Sequence, residues 1–444
     1  MKTLKYLPFV PIVVSCIFFL LPQASFAADK LLQQADLTYL GAFRLPSEQF
    51  SCGGKPIAYN PSRNSLFIGG ANDEQVGKES LFEISIPSLV NSSTLAGLNT
   101  AAILQNSVSA FNGTISTVET GNGAIFGGLL LNGNKLVISA YAYYDANYTA
   151  SKSHATINAD WTTNGLGFSG LVTVGVPPAS NVGFTGGYMC PIPASWQSAL
   201  GGTAITGMSN IAITTRTSYG PAAFSFTPTL NTNLANSTSA NALLYYDDNN
   251  NVGGATCATH WTIGAYSSAD GCTTGAHPVG DYSILSGADM IDGVVFPDGS
   301  KSVLFFGTHG DTYCYGNGVD TNPPGSGNCY DPERLDHGVH GYPYHYRIWA
   351  YNADDLALVK AGTKNPWEVT PYGTWEITFP YPAGGAWKKE INGATYDSTN
   401  KRLLISQDHG DGTVPLIQVF SVNVTGGGSS DTTAPAAPTG LSVK

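Results

Sequence analysis

Two stretches of the chain, "LFFGTHGDTYC" (304–314) and "LLISQDHGDGTV" (403–414), run apolar and then break into His-Gly-Asp. The copies are His309-Gly310-Asp311 and His409-Gly410-Asp411. A histidine beside a carboxylate can act as a general base or acid, or hold a divalent cation. A third stretch, "RLDHGVHGYPYHYR" (334–347), adds His337, His340, Tyr344 and Arg347. So many titratable and aromatic groups are costly to bury unpaired. A His/Tyr pair with an arginine on a substrate carboxylate suits β-elimination of a uronate sugar. Paired carboxylates such as Asp311 and Asp411 suit glycoside hydrolysis at the right separation. The structural reading stands beside these, because Asp-Gly and His-Gly are good turn formers and a repeat fold reuses its turn chemistry.

Other chemistry is thinner. The chain has no G-x-S-x-G and no H-E-x-x-H. "DDNNN" (247–251) and "DHGDG" (408–412) resemble calcium loops but lack the glycine of the EF-hand spacing. Metal and cofactor stay open, with a divalent cation such as calcium as the candidate.

The elements that must carry these residues read as all-β. There are 52 Gly, 26 Pro and 23 Tyr with only 11% charged residues, and short β-branched and aromatic runs alternate with turn residues throughout. Five hairpins share one pattern, at 56–74, 127–145, 222–249, 292–311 and 392–411, the third with a longer and poorer connection. The turns NPSRN, NGN, PDG and DSTN suit tight reversals. Third strands follow at "LFEISIP" (81–87), "GLVTVGV" (170–176), "YRIWAYN" (346–352) and "LIQVFSV" (416–422), and "GTWEITFP" (373–380) supplies a fourth. This is the grammar of a β-propeller. The last blade lacks a fourth strand, and "LTYLGAFRLP" (37–46) has no blade of its own. That segment is expected to complete the last blade and close the ring, which removes open sheet edges. Five blades are favoured, with a sixth or seventh left open within 150–290.

Register places the repeat. Seven positions after Leu66, Leu304 and Leu404 stand Asp73, Asp311 and Asp411; Tyr143 follows Leu136 in the same way, with Asp145 beyond, and Asp247 and Asp248 stand nearby in the third hairpin. By analogy with other propellers, loops after second strands open on the binding face. Both HGD copies are therefore expected on one face, in adjacent blades, with the long segment 312–345 beside them. Trp349, Trp375 and Trp387 could stack on sugars or pack between blades.

The ends speak to compartment. Lys2 and Lys5, the apolar run 9–21 and "ASFA" (24–27) read as a signal peptide over 1–27. No second long apolar run follows, so no membrane span is expected after cleavage. Removing two lysines and no acid takes the net charge from −11 to −13, which argues against a nucleic-acid partner. Six cysteines then remain, and an even count in an oxidising compartment suggests disulfides. Six cysteines allow fifteen pairings; Cys257–Cys272 and Cys314–Cys329, near in sequence and each able to staple one loop, are preferred, with Cys52–Cys190 as the remainder. After a propeller over 28–424 comes a Gly/Ser linker (425–433). The segment 434–444, within "TAPAAPTGLSVK", resembles the first strand of a fibronectin type III module of secreted bacterial proteins. The resemblance covers about a dozen residues, implies export and modular architecture, and brings no catalytic residues.

The expectation is a secreted or periplasmic, monomeric, glycan-directed propeller. Its partner is a polysaccharide or cell-surface glycan, and its activity, if any, is that of a polysaccharide lyase or glycoside hydrolase. The alternatives are a non-catalytic carbohydrate-binding or adhesion propeller and a structural cell-surface module.

Overall fold

The computed structural model describes residues 29–46, 48–71, 79–118, 123–142, 145, 150–175, 182–209, 217–246, 284–312, 314–319, 329–383 and 389–424. Strand β1 (Leu37–Arg44) comes first. Blade one holds β2 (Ile57–Asn60), β3 (Ser65–Gly69), β4 (Ser80–Ser85) and β5 (Ile103–Ser109), paired in that order. Blade two holds β6 (Ala124–Asn132), β7 (Lys135–Ala142) and β8 (His154–Asn158). The short β9 (Thr173–Gly175) follows it. Blade three holds β10 (Tyr188–Pro191), β11 (Ala204–Gly207), β12 (Ala223–Phe226) and, beyond β13 (Ser237–Ser239), β14 (Asn241–Leu244). Blade four holds β15 (Met290–Val295) and β16 (Ser302–Gly310), then a separate hairpin of β17 (Cys314–Asn317) and β18 (His337–His340), then β19 (Tyr344–Asn352) and β20 (Gly373–Glu376). Blade five holds β21 (Ile391–Asp397), β22 (Arg402–Asp411) and β23 (Val414–Val422).

The fourth strand of blade five is β1, with Leu37 opposite Val422 and Arg44 opposite Leu416. The N-terminal strand thus closes a five-bladed β-propeller, as the unpaired pattern at 37–46 predicts. The first strands β2, β6, β10, β15 and β21 are neighbours in turn, and β21 returns to β2, so they line the axis.

The apolar runs are nearly continuous because each blade is buried on both faces. Period-two alternation then divides every strand between two gaps. In β16, Val303 and Phe305 pack toward blade three with Tyr188 and Trp349, whereas Leu304 and Phe306 pack toward blade five with Leu403 and Ile405. In β3, Leu66 and Ile68 meet Leu404 and Val419 of blade five, and Phe67 meets Leu129 and Leu136 of blade two. A fully buried side chain of this size is worth ~1.5–3 kcal/mol, so five such gaps hold the ring.

Three expectations are corrected. The third hairpin, at 222–249, supplies the third and fourth strands of its blade; the first two are β10 and β11. Their connection, 192–203, contains a helical turn at Gln197–Leu200 rather than a tight reversal, so it carries no hairpin signature. The "GLVTVGV" segment is not the third strand of blade two. That place belongs to β8, and β9 runs parallel to β13 of the next blade. The disulfide framework fails at its long-range pair: Cys52 is an exposed thiol, Cys190 is a buried one, and the two are not bridged. Cys190 sits in the core between blades three and four, where it packs as a small apolar side chain. Cys257, Cys272 and the side chain of Cys314 lie outside the described residues, as do residues 1–28 and 425–444, where the sequence predicts a leader, a linker and a fibronectin-like strand. Among the described residues no helix is long and apolar enough to cross a membrane.

Candidate functional site at the axial mouth

Each second strand finishes where its own first strand begins, so these ends share one face of the ring. There the first strands are irregular. Blades two, four and five shift register at Phe126/Gly128, Ile291/Gly293 and Ile391/Gly393. One extra residue bulges out in each: Gly127, Asp292 or Asn392. A bulge re-aims a side chain that the ladder would otherwise direct into a blade. In blade four the glycine that follows is required by close approach of the next first strand. A Cβ on Gly293 would lie 2.6 Å from the backbone nitrogen of Ala394.

The polar side chains converge here. Lys55, just before β2, forms an ion pair with Asp292, and its ammonium donates to the Tyr141 hydroxyl at 3.0 Å. Burial would push the Lys55 ammonium down in pKa, but Asp292 and Tyr141 together outweigh it and hold it above the usual lysine value. Asn392 donates to Gly53 O at 2.7 Å and to Asp408 at 2.9 Å. Blades one, two, four and five thus each give a polar group to the mouth.

The two HGD copies flank this mouth and do not share partners. His309 stays in the ladder, opposite His345, and its alternation turns it toward blade three. Its Nδ1 is held by the buried Asp289 at 2.8 Å, and its Nε2 faces Asp311 at 3.8 Å. Asp311 accepts from His345 Nε2 at 2.9 Å, and His345 Nδ1 meets Glu376 at 2.7 Å. Arg347 lies beside Asp289, Asp311 and Glu376; burial lowers its guanidinium pKa, and those carboxylates oppose the shift. In β22 the register breaks between Gln407 and Asp411, and His409 adopts a left-handed backbone with φ 49°. That bulge turns His409 over, from the blade-four side to the blade-one side. Its Nδ1 meets Asp408 at 2.6 Å and its Nε2 faces Cys52 Sγ at 3.7 Å. Asp411 accepts from Arg44 of the closing strand at 2.6 Å.

The long-segment residues divide. His340 and Tyr344 are buried and both hold Asp331, at 2.8 and 2.7 Å, while His340 Nε2 faces the Gly316 and Asp336 carbonyls. Burial alone would raise the Asp331 carboxyl, but the hydrogen bonds from His340 and Tyr344 hold it below the usual range. Burial pushes the Tyr344 hydroxyl up, and Asp331 adds to the shift. This group pins the β17–β18 hairpin rather than reaching the mouth. His337 is exposed and faces Asn317 at 3.2 Å. Trp349 and Trp375 are buried in the cores, and Trp387, Asp73, Tyr143, Asp247 and Asp248 lie outside the described residues. Asp408 and Asp411 of the calcium-like "DHGDG" are occupied by His409, Asn392 and Arg44. Among the described residues no group of three or more His, Cys, Asp and Glu is arranged to hold a metal ion.

Sequence reasoning missed Lys55, Asp292, Asn392 and Asp289, and noted Asp408 only as part of a calcium-like loop. A signal exists for two of them. "IDG" at 291–293 and "ING" at 391–393 repeat at the same spacing as the HGD copies. On the opposite face the axis opens into a larger cavity, about 260 Å³, walled by Tyr59, Leu129, Met189, Phe296, Asp298 and Tyr396. Burial raises the Asp298 carboxyl there.

No family model matches the chain, and no curated protein is found to be similar to it. Among solved structures it is similar to an exo-β-1,3-galactanase of Phanerochaete chrysosporium with bound β-1,3-galactotriose, at 12% identity and TM-score 0.40, over 87% of this chain and 68% of that one. It is also similar to Kuenenia stuttgartiensis hydrazine synthase, at 10% identity and TM-score 0.30, over 82% of this chain and 76% of that one. A third likeness is to the β-propeller domain of Cps50 (Swd1) of Myceliophteria thermophila, at 8% identity and TM-score 0.26, over 81% and 66%. At these scores the fold rests on the strand pairing above and not on the likeness.

Proposed function

We propose that the protein is a glycan-directed enzyme that hydrolyses glycosidic bonds at the axial mouth. The observation that supports this is the meeting of Lys55, Asp292 and Tyr141 from three blades, with Asn392 of a fourth lining one small cavity with Lys55 at the mouth. Such convergence of titratable groups is what a catalytic site needs and what turn chemistry does not explain. The neighbouring Asp289–His309–Asp311 line supplies a carboxylate-held imidazole on the same face.

Hydrolysis is preferred to β-elimination for two reasons. The tyrosine expected to serve a lyase, Tyr344, is locked on Asp331. Arg347 has three carboxylates of its own chain beside it and is poorly placed to bind a substrate carboxylate. Export, expected from residues 1–27, is part of the same proposal. The test is a screen of acidic and neutral polysaccharides with the full chain, followed by Asp311→Asn and Tyr141→Phe. New reducing ends without unsaturated uronate, diminished in both variants, support the reading. Binding without turnover on every substrate would favour the adhesion alternative.

A further inference from the structure

Cys52 and His409 touch, and both have left-handed backbones, with φ 53° and 49°. This conformation is uncommon for any residue but glycine, more so for cysteine than for histidine, and such strain gathers at functional sites. The contact is one side of a larger arrangement. His409 Nδ1 is bonded to Asp408, and the other Asp408 oxygen accepts from Asn392. The Asp408 bond fixes the imidazole tautomer and turns the Nε2 lone pair toward Sγ. Cys52 is exposed, whereas His409 and Asp408 are buried. Cys52, Lys55, Asn392 and Ser80 line one small cavity of about 50 Å³. The Ser80 hydroxyl is about nine-tenths buried and has no hydrogen-bond partner among the described residues. An orphaned donor lining the same small cavity as the thiol and the Lys55 side chain points to an oxygen that the site is built to receive.

We propose that Cys52, His409 and Asp408 form a nucleophilic triad that cleaves small acyl esters. His409 Nε2 takes the thiol proton as Sγ bonds to the acyl carbon. Ser80 and the Lys55 ammonium face the carbonyl oxygen as it gains negative charge. The ester C–O bond breaks, the proton passes from His409 to the departing alcohol, and the acyl group stays on Cys52 as a thioester. Water then gives a proton to His409, attacks the thioester, and releases the acid and the thiol. The cavity size restricts the acyl group to a short one. This activity does not depend on the glycosidase reading: it breaks a different bond, and although Lys55 and Asn392 stand in both places, its nucleophile, base and positioning carboxylate are Cys52, His409 and Asp408.

The experiment treats the reduced full chain with p-nitrophenyl acetate and with iodoacetamide across a pH series. The expected result is an acetyl group on the Cys52 peptide by mass spectrometry. His409→Gln should lower acetylation by roughly 100-fold or more, the low end of what a positioned base contributes. Cys52 should also alkylate rapidly well below the ordinary thiol range near pH 8.5. The alkylation profile needs no variant, so it decides the matter even if His409→Gln fails to fold. An ordinary thiol profile with no acetyl group on Cys52 overturns the proposal, as does acetylation that His409→Gln leaves unchanged.

Discussion

His154 makes the chain acid-sensitive in a way that can be worked from its surroundings. It is fully buried at the boundary of blades two and three. Its Nδ1 lies 2.7 Å from the Ser153 hydroxyl and its Nε2 lies 3.1 Å from the Thr206 hydroxyl. The Thr206 hydroxyl donates to Thr185 O, so its oxygen accepts from Nε2–H, and Nδ1 accepts from Ser153. Every site on a neutral ring is filled, and no carboxylate is bonded to it to favour a charged one. Burial accordingly pushes the pKa from 6.5 down to about 3. The folded value is depressed, so its contribution is fully present above the unfolded value of 6.5 and is lost as pH falls toward 3. One unit is worth ~1.4 kcal/mol, so the loss is about 2 kcal/mol between pH 7 and 5 and about 4–5 kcal/mol in full. Denaturant unfolding at those two pH values, for the wild type and His154→Gln, measures it. Glutamine costs about 1–3 kcal/mol at pH 7 through poorer hydrogen bonds but cannot titrate. The variant should lose less stability than the wild type over that interval, by about 2 kcal/mol. Equal losses in the two proteins would refute the reasoning.

Other consequences follow from the same structure. Lys55→Met leaves Asp292 largely buried and unpaired, which should cost about 3 kcal/mol, the low end for breaking a buried pair, while Lys55→Met with Asp292→Leu should recover most of it; a single-variant cost below about 1 kcal/mol would assign the pair to the surface class. Because the Lys55 pKa is raised, its contribution is constant below 10.5 and declines only in stronger alkali. Phe43→Ala, in the closing strand and fully buried, should cost about 3–5 kcal/mol in thermal or denaturant melts. The Asp331 carboxyl is depressed, so its stabilisation is present above 3.8 and lost as pH falls below that; Asp331→Asn should flatten the acid limb of the stability curve there.

The fold was legible where a tight turn joins two apolar runs. NPSRN, NGN, PDG and DSTN mark the first hairpins of blades one, two, four and five, and the surplus strand at 37–46 marks closure. Blade three was misread because all its main strands are only four residues long and β10 and β11 are joined through a helical turn, with no tight-reversal residues to mark them as a hairpin. The site was only half legible. Counting along strands assumes an unbroken ladder, and this places both HGD histidines on equivalent sides of their blades. The bulge at 408–410 breaks that assumption and sends His409 to Cys52, a residue that cysteine counting had paired with Cys190. Lys55, Asp292 and Asn392 escaped notice because lone polar residues at strand starts read as turn residues, and only closure of the ring brings them together. His340 and Tyr344 carried chemistry in type but had their bonding met by Asp331.

The measurement that tests the central reading most directly follows hydrolysis of a polysaccharide panel by the full chain and by Asp311→Asn and Tyr141→Phe. Each variant is first checked for a wild-type melting temperature. The account predicts new reducing ends from at least one glycan, no unsaturated uronate, and loss of that release by about 100-fold in Asp311→Asn, the low end for a positioned acid or base. Wild-type rates in both variants, or no release from any glycan, would contradict it.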